Sequence, residues 1–178
     1  MALVTSRYAQ LAMQWPHLVS GMTSSLIMTS ADVFCQAVIQ KPGPEGLDYR
    51  RTTGLAIFGL VWYGGPCKWL YLRMDRWMGR KPTFRNVAAK TFFDVYVHTP
   101  FGVVPGFYLV TSCFKGMDLR QTWSQLQREW KEASLGSSVF WTPAQVFNFW
   151  FVPQHYKIAY VSTLSFAHKT WLSWVSNK

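Results

Sequence analysis

The chain has 178 residues, 49% of them hydrophobic and 17% aromatic, with 10 Trp, only 15% charged residues and yet a net charge of +10. A soluble domain carries about 25% charged residues to solvate its surface, and this chain is too short of charge for that. The basic excess sits in connectors between apolar runs rather than on a charge-rich face, which favours membrane headgroups over nucleic acid as partner.

At the amino end, Arg7 precedes a moderately apolar run. It lacks the charged start, continuous apolar core and small-residue cleavage site of a secretory signal, and one Arg is too few for a transit peptide, so targeting is expected to be internal. Four stretches carry no Asp, Glu, Lys or Arg: Tyr8 to Ala31, Thr52 to Cys67, Val95 to Phe114, and Ala133 to Tyr156. Each is close to the 17 to 25 residues of a bilayer-crossing helix. The reading is an all-α polytopic membrane helix bundle, one integral membrane domain over 1–178, with about four transmembrane helices near 16–38, 53–72, 92–114 and 139–157. The mean hydropathy of +0.02 is low for lipid-facing helices. Each span must therefore turn a face of Ser, Thr, Gly, Gln and Asn toward protein or water.

On the first span Gly21, Ser25, Thr29, Asp32, Gln36 and Gln40 recur every three or four residues and share one face. Its small part, Gly21 to Thr29, suits close helix contact. Asp32 needs more, because a mid-bilayer carboxylate costs about 2.5 to 3.5 kcal/mol. It is either hydrated along a water path or paired with a basic residue of another helix, Lys90 or Arg51 being candidates. The connector at 40–51, QKPGPEGLDYRR, reads as a turn, and RMDRWMGRKPTFR at 73–85 is the most basic stretch, with Gly79 and Pro82 between two helices.

On the third span Lys90, Asp94 and His98 follow at four-residue intervals. This spacing predicts a Lys90–Asp94 ion pair. Two metal-ligand types without a third are too few for a metal site, and no metal or other cofactor is expected. Pro100 and Pro105 then break the helix and free carbonyls that must find partners within the bundle. Leu119, Trp123, Leu126 and Trp130 recur at helical spacing opposite polar and charged residues, which predicts an amphipathic interfacial helix over 118–132.

In FWTPAQVFNFWFVP, residues 140–153, Thr142 and Gln145 have the spacing of a capping box with Pro143 at the first helical position. Trp141, Gln145, Asn148 and Val152 share a face, so Asn148 is expected to point inward. Pro153 kinks the chain before His155, Tyr156 and Lys157, an aromatic and basic belt. A further apolar helix follows at 158–174, and spacing alone leaves open whether it crosses. Cys35, Cys67 and Cys113 are odd in number, far apart and in apolar runs, which implies buried thiols rather than disulfides or a zinc site.

These residues resemble a known family. WTPAQVFNFWFVP with the following QHYK is similar to the pattern W-x-P-x-Q-x-x-N-F-x-x-V-P of the small membrane proteins of mitochondria and peroxisomes named for Mpv-seventeen and the twenty-two-kilodalton peroxisomal membrane protein. ADVFCQ, DYRRTTG, the Gly65-Pro66 pair and KTFFDVYVHTP resemble the family's other motifs in order, so the likeness covers nearly the whole chain. Ala31, Trp69 and Val95 depart from it, standing where the family has Gly, His and Gln.

The resemblance implies a four-span protein of the mitochondrial inner membrane or the peroxisomal membrane, with low-selectivity channel activity that supports organelle homeostasis and reactive-oxygen metabolism. Asp32, Gln36, Lys90, Asp94, Gln145 and Asn148 are the candidates to line such a pore or to hold the helices together. Pro100, Pro105, Thr142, Pro143 and Pro153 are the candidate breaks and caps. The partners expected are the lipid bilayer, small ions or metabolites, and a second copy of the chain, but no nucleic acid. A non-conducting scaffold or assembly factor is the rival reading. Catalysis is not expected, since Cys113, Ser137 and His98 supply reactive types without a recognisable constellation.

Overall fold

A computed structural model describes residues 7–40, 46–136 and 138–176, with the side chains at 135, 136 and 169–176 outside that description. Among the described residues every regular element is helical. In chain order they are α1 (Arg7–Gln14), α2 (Pro16–Gln40), α3 (residues 49–67), α4 (Lys68–Trp77), α5 (residues 84–114), α6 (residues 119–136), α7 (Ser138–Phe151) and α8 (Lys157–Ser176). They form two compact units, one of residues 1–69 with 154–178 and one of residues 70–153.

The first unit is built on the crossing of α2 and α3. Pro16 opens α2, where a missing N–H costs nothing. Glycines let the two backbones touch. A Cβ on Gly64 would lie 2.9 Å from both the Gly21 Cα and the His17 carbonyl oxygen, and one on Gly59 would lie 2.9 Å from the Ser25 backbone. His17 Nδ1 donates to the Gly64 carbonyl at 2.6 Å. This is the close contact that the small face of the first span predicts. Asp48 caps α3, its carboxylate accepting from the Arg51 N–H at 3.0 Å. On α8, Ser162 donates to Ser24 of α2 at 2.9 Å, and the Tyr8 ring of α1 stacks on Tyr156 at 5.3 Å.

In the second unit α4 and α5 form a hairpin, with Gly79 at φ 92° in its turn and Thr83 capping α5 through the Asn86 N–H. Over Asp94–Val103 the helix α5 widens to π geometry around Pro100. There the Val104 N–H bonds the Thr99 carbonyl, so the next donor in that register would serve Pro100. That donor belongs to Pro105, which has none. The Trp130 indole N–H fills the vacancy, donating to the Pro100 carbonyl at 2.8 Å. The carbonyl expected to be freed by the two prolines thus finds its partner on α6.

Helix α6 starts at a capping box, Asp118 accepting from the Gln121 N–H at 2.7 Å while Gln121 accepts from the Asp118 N–H at 3.1 Å. Its apolar side is divided. Leu126 is buried and Trp130 packs on Phe101, with ring centroids 5.7 Å apart, whereas Leu119 and Trp123 are exposed. Among the described residues one helix, Pro16–Gln40, is long and apolar enough to cross a membrane by length and composition, its most apolar stretch reaching a mean hydropathy of 1.3. The uncharged run at 139–157 holds the 14-residue helix α7, which ends at Phe151 before Pro153, and then a turn. At about 1.5 Å per residue α7 is short of a hydrocarbon core of about 30 Å.

Candidate functional site

Among the described residues each unit buries one carboxylate from a helix interior. In the first unit Asp32 of α2 is fully buried. Its Oδ1 accepts from Arg51 Nη2 at 2.7 Å and Nε at 2.8 Å. Its Oδ2 accepts from Gln36 Nε2 at 2.7 Å and from the Thr52 hydroxyl at 2.8 Å. Gln36 sits one turn on from Asp32, and its Oε1 accepts the Asp48 N–H at 2.7 Å. Arg51 also reaches Gln40 at 3.1 Å. Of the two states open to Asp32, hydrated or paired, the geometry is the paired one, with Arg51 rather than Lys90 as the partner. The α2 carboxylate is matched by a full cation from α3 and bound by neutral donors, which fixes the two helices in register.

In the second unit Asp94 of α5 is buried in a different company. Its Oδ1 accepts from His98 Nδ1 at 2.9 Å. Its Oδ2 accepts from Gln145 Nε2 at 2.6 Å and the Tyr71 hydroxyl at 3.2 Å. Gln145 Oε1 accepts from Asn148 Nδ2 at 2.7 Å, and the Phe149 ring covers Tyr71 at 5.4 Å. Asp94 therefore meets no Lys or Arg among the described residues. The groups that face its carboxylate are an imidazole, an amide and a phenol, with no fixed cation among them. A hydrogen-bonded chain of Asn148, Gln145, Asp94 and His98 runs through the interior of this unit.

The structure brings Asp32 and Gln36 together, and separately Asp94, Gln145 and Asn148. Lys90 joins neither group. The expected Lys90–Asp94 pair does not form: Lys90 Nζ lies 2.5 Å from Asp75 Oδ1 and 2.7 Å from the Gly79 carbonyl oxygen. The hairpin brings α4 back alongside α5, and Asp75 together with a turn carbonyl offers a better cage than a carboxylate one turn along the same helix. The expected Thr142 cap is also corrected. Helix α7 is already formed at Ser138 and carries Pro143 inside it, so the Gln145 amide is released to Asp94, and the Thr142 hydroxyl lies 3.2 Å from that of Tyr96. Pro153 does stand at the end of α7. Ser137 lies outside the described residues.

Tyr71 and Asp75 escaped the sequence reading. The available signals were a Tyr within an apolar helix, whose hydroxyl needs a partner once buried, and an acid isolated within a basic stretch.

Among the described residues the fold is all-helical, with carboxylates buried in helix interiors and one helix long and apolar enough to cross a membrane. Residues 112–173 match the model of the Mpv17 / PMP22 family. Along its whole length the chain is similar to the mitochondrial inner membrane protein Mpv17 of Danio rerio, 26% identical over 178 residues, covering 100% of this chain and 99% of that protein. It is also similar to the protein of that name from Homo sapiens, 24% identical over 92% of each chain, and to Protein SYM1 of Gibberella zeae, 24% identical over 92% of both. No solved structure matches. The chain is thus similar over its whole length to these proteins, two of which are named for the mitochondrial inner membrane, and its residues 112–173 carry the family match.

Proposed function

We propose that this chain crosses the inner membrane about four times and passes small ions or metabolites with low selectivity, supporting organelle homeostasis and reactive-oxygen metabolism without catalysing a reaction. The observation that carries the reading is the environment of Asp94. A buried carboxylate matched by an imidazole and neutral donors, rather than by a fixed cation, is the arrangement of a polar pathway through a membrane protein. Asp32, locked to Arg51, serves the scaffold. The test is efflux from liposomes holding the purified protein, read with a size series of small uncharged and charged solutes. Release of the smaller solutes supports the conduit, and tight liposomes containing folded protein contradict it.

One observation favours a non-conducting scaffold. Every oxygen of Asp32 and Asp94 is already engaged by a donor within the protein, as a structural bundle requires. That reading predicts tight liposomes from a protein that melts cooperatively.

A further inference from the structure

The α4–α5 hairpin concentrates charge that the interior clusters do not use. Residues 73–90 hold six basic side chains and a single acid, Asp75. Lys90 takes that acid inside the hairpin, so it offsets none of the outward cations. Arg76, Arg80, Lys81 and Arg85 are exposed, and among the described residues none of their side chains has a hydrogen-bond or ion-pair partner.

The turn that carries them is tied from within. Lys90 Nζ donates to the Gly79 carbonyl at 2.7 Å, Asn86 Nδ2 to the Lys81 carbonyl at 3.1 Å, and the Thr83 N–H to that same carbonyl at 2.9 Å. An exposed aromatic stands at either end, Trp77 at 63% exposure and Phe84 at 79%. A turn of fixed shape with four free cations between two exposed rings matches a lipid surface: phosphate for the cations, and the headgroup–acyl boundary for the rings.

We propose that this hairpin is a binding site for anionic phospholipid, the phosphodiester headgroup lying across Arg80 and Lys81 with Trp77 and Phe84 seated at the acyl boundary. The proposal rests on the membrane reading of the chain, and independently of whether the protein conducts. Protein with its native lipid stripped in detergent is titrated with phosphatidylglycerol or phosphatidylcholine, and bound lipid is counted by native mass spectrometry. The wild type is expected to prefer phosphatidylglycerol, more weakly as salt rises. The double variant R80Q/K81Q should bind it about thirtyfold more weakly, from two lost headgroup charges. A control variant, R120Q/R128Q on α6, removes the same charge elsewhere and should stay within about threefold of wild type.

Equal losses in the two variants would mean that net charge alone attracts the lipid, and would overturn the site. Displacement of the lipid by an equal concentration of inorganic phosphate would reassign the cations to a free anion and overturn it too. Failure of the wild type to enter nanodiscs of either lipid would take down the membrane reading and this proposal together, whereas entry without lipid preference overturns this proposal alone.

Discussion

Two aspartates on helix interiors look alike in the sequence and differ in what surrounds them. Asp32 answers a guanidinium, so neutralising it strands Arg51, whose side chain is only 27% exposed. Asp32→Asn is expected to cost about 2 to 4 kcal/mol in the melting of purified protein, and an unchanged melt would remove its structural role. Trp130 makes a second residue-scale test. Replacing it by Phe keeps a ring beside Phe101 and removes the indole donor to the Pro100 carbonyl, which should lower stability by about 1 to 3 kcal/mol; a loss no greater than that of a neutral surface change would refute the pairing. At this scale the spacing of Asp32 and Gln36 and the inward direction of Asn148 were legible, because helical periodicity sets them. The choice of partners was not. Lys90 chose Asp75 across a turn, and a locally plausible cap at Thr142 lost to a helix that begins four residues earlier.

Helices were legible from apolar periodicity, and their junctions less so. The capping box lies at Asp118 and Gln121, where the acid and amide three residues apart were a usable signal, but Thr142 and Gln145 offer the same spacing in a context that the upstream helix overrides. The widening of α5 depends on where two prolines fall relative to an emerging π register, which no pattern of hydrophobicity encodes. The α2–α3 crossing gives the sharpest prediction for an element. Gly64→Val should destabilise the protein by at least about 2 kcal/mol, since the new side chain meets backbone atoms that cannot move aside, and a melt within 0.5 kcal/mol of wild type, roughly the span of an ordinary surface change, would contradict the crossing. For α6, the Tyr108 hydroxyl donates to Glu129, and this bond holds the Glu129 carboxyl below its ordinary range. A carboxyl with a lowered folded pKa stabilises the fold above the unfolded value and loses that contribution as pH falls through the folded one. Hydrogen exchange in α6 should therefore quicken on acidification below the usual glutamate range, and Glu129→Gln should flatten that change.

For the whole molecule, the uncharged runs and the polar connectors between them were enough to read an all-helical chain, and the membrane is the solvent that such low charge is proposed to meet. The number of crossings does not follow in the same way: Pro153 divides one uncharged run into a short helix and a turn. A four-span chain has both termini on one side, so tags at the two ends should share protease accessibility in sealed organelles, and opposite accessibility would contradict that count. The central claim, that the Asp94 cluster belongs to a conducting path while Asp32 belongs to the frame, is tested most directly by the reversal potential of the purified protein in planar bilayers under a salt gradient. The prediction is that wild type conducts with a cation preference, that Asp94→Asn shifts the reversal potential toward zero, and that Asp32→Asn leaves it in place. No conductance from folded wild type, or a reversal potential that ignores Asp94→Asn, would contradict it.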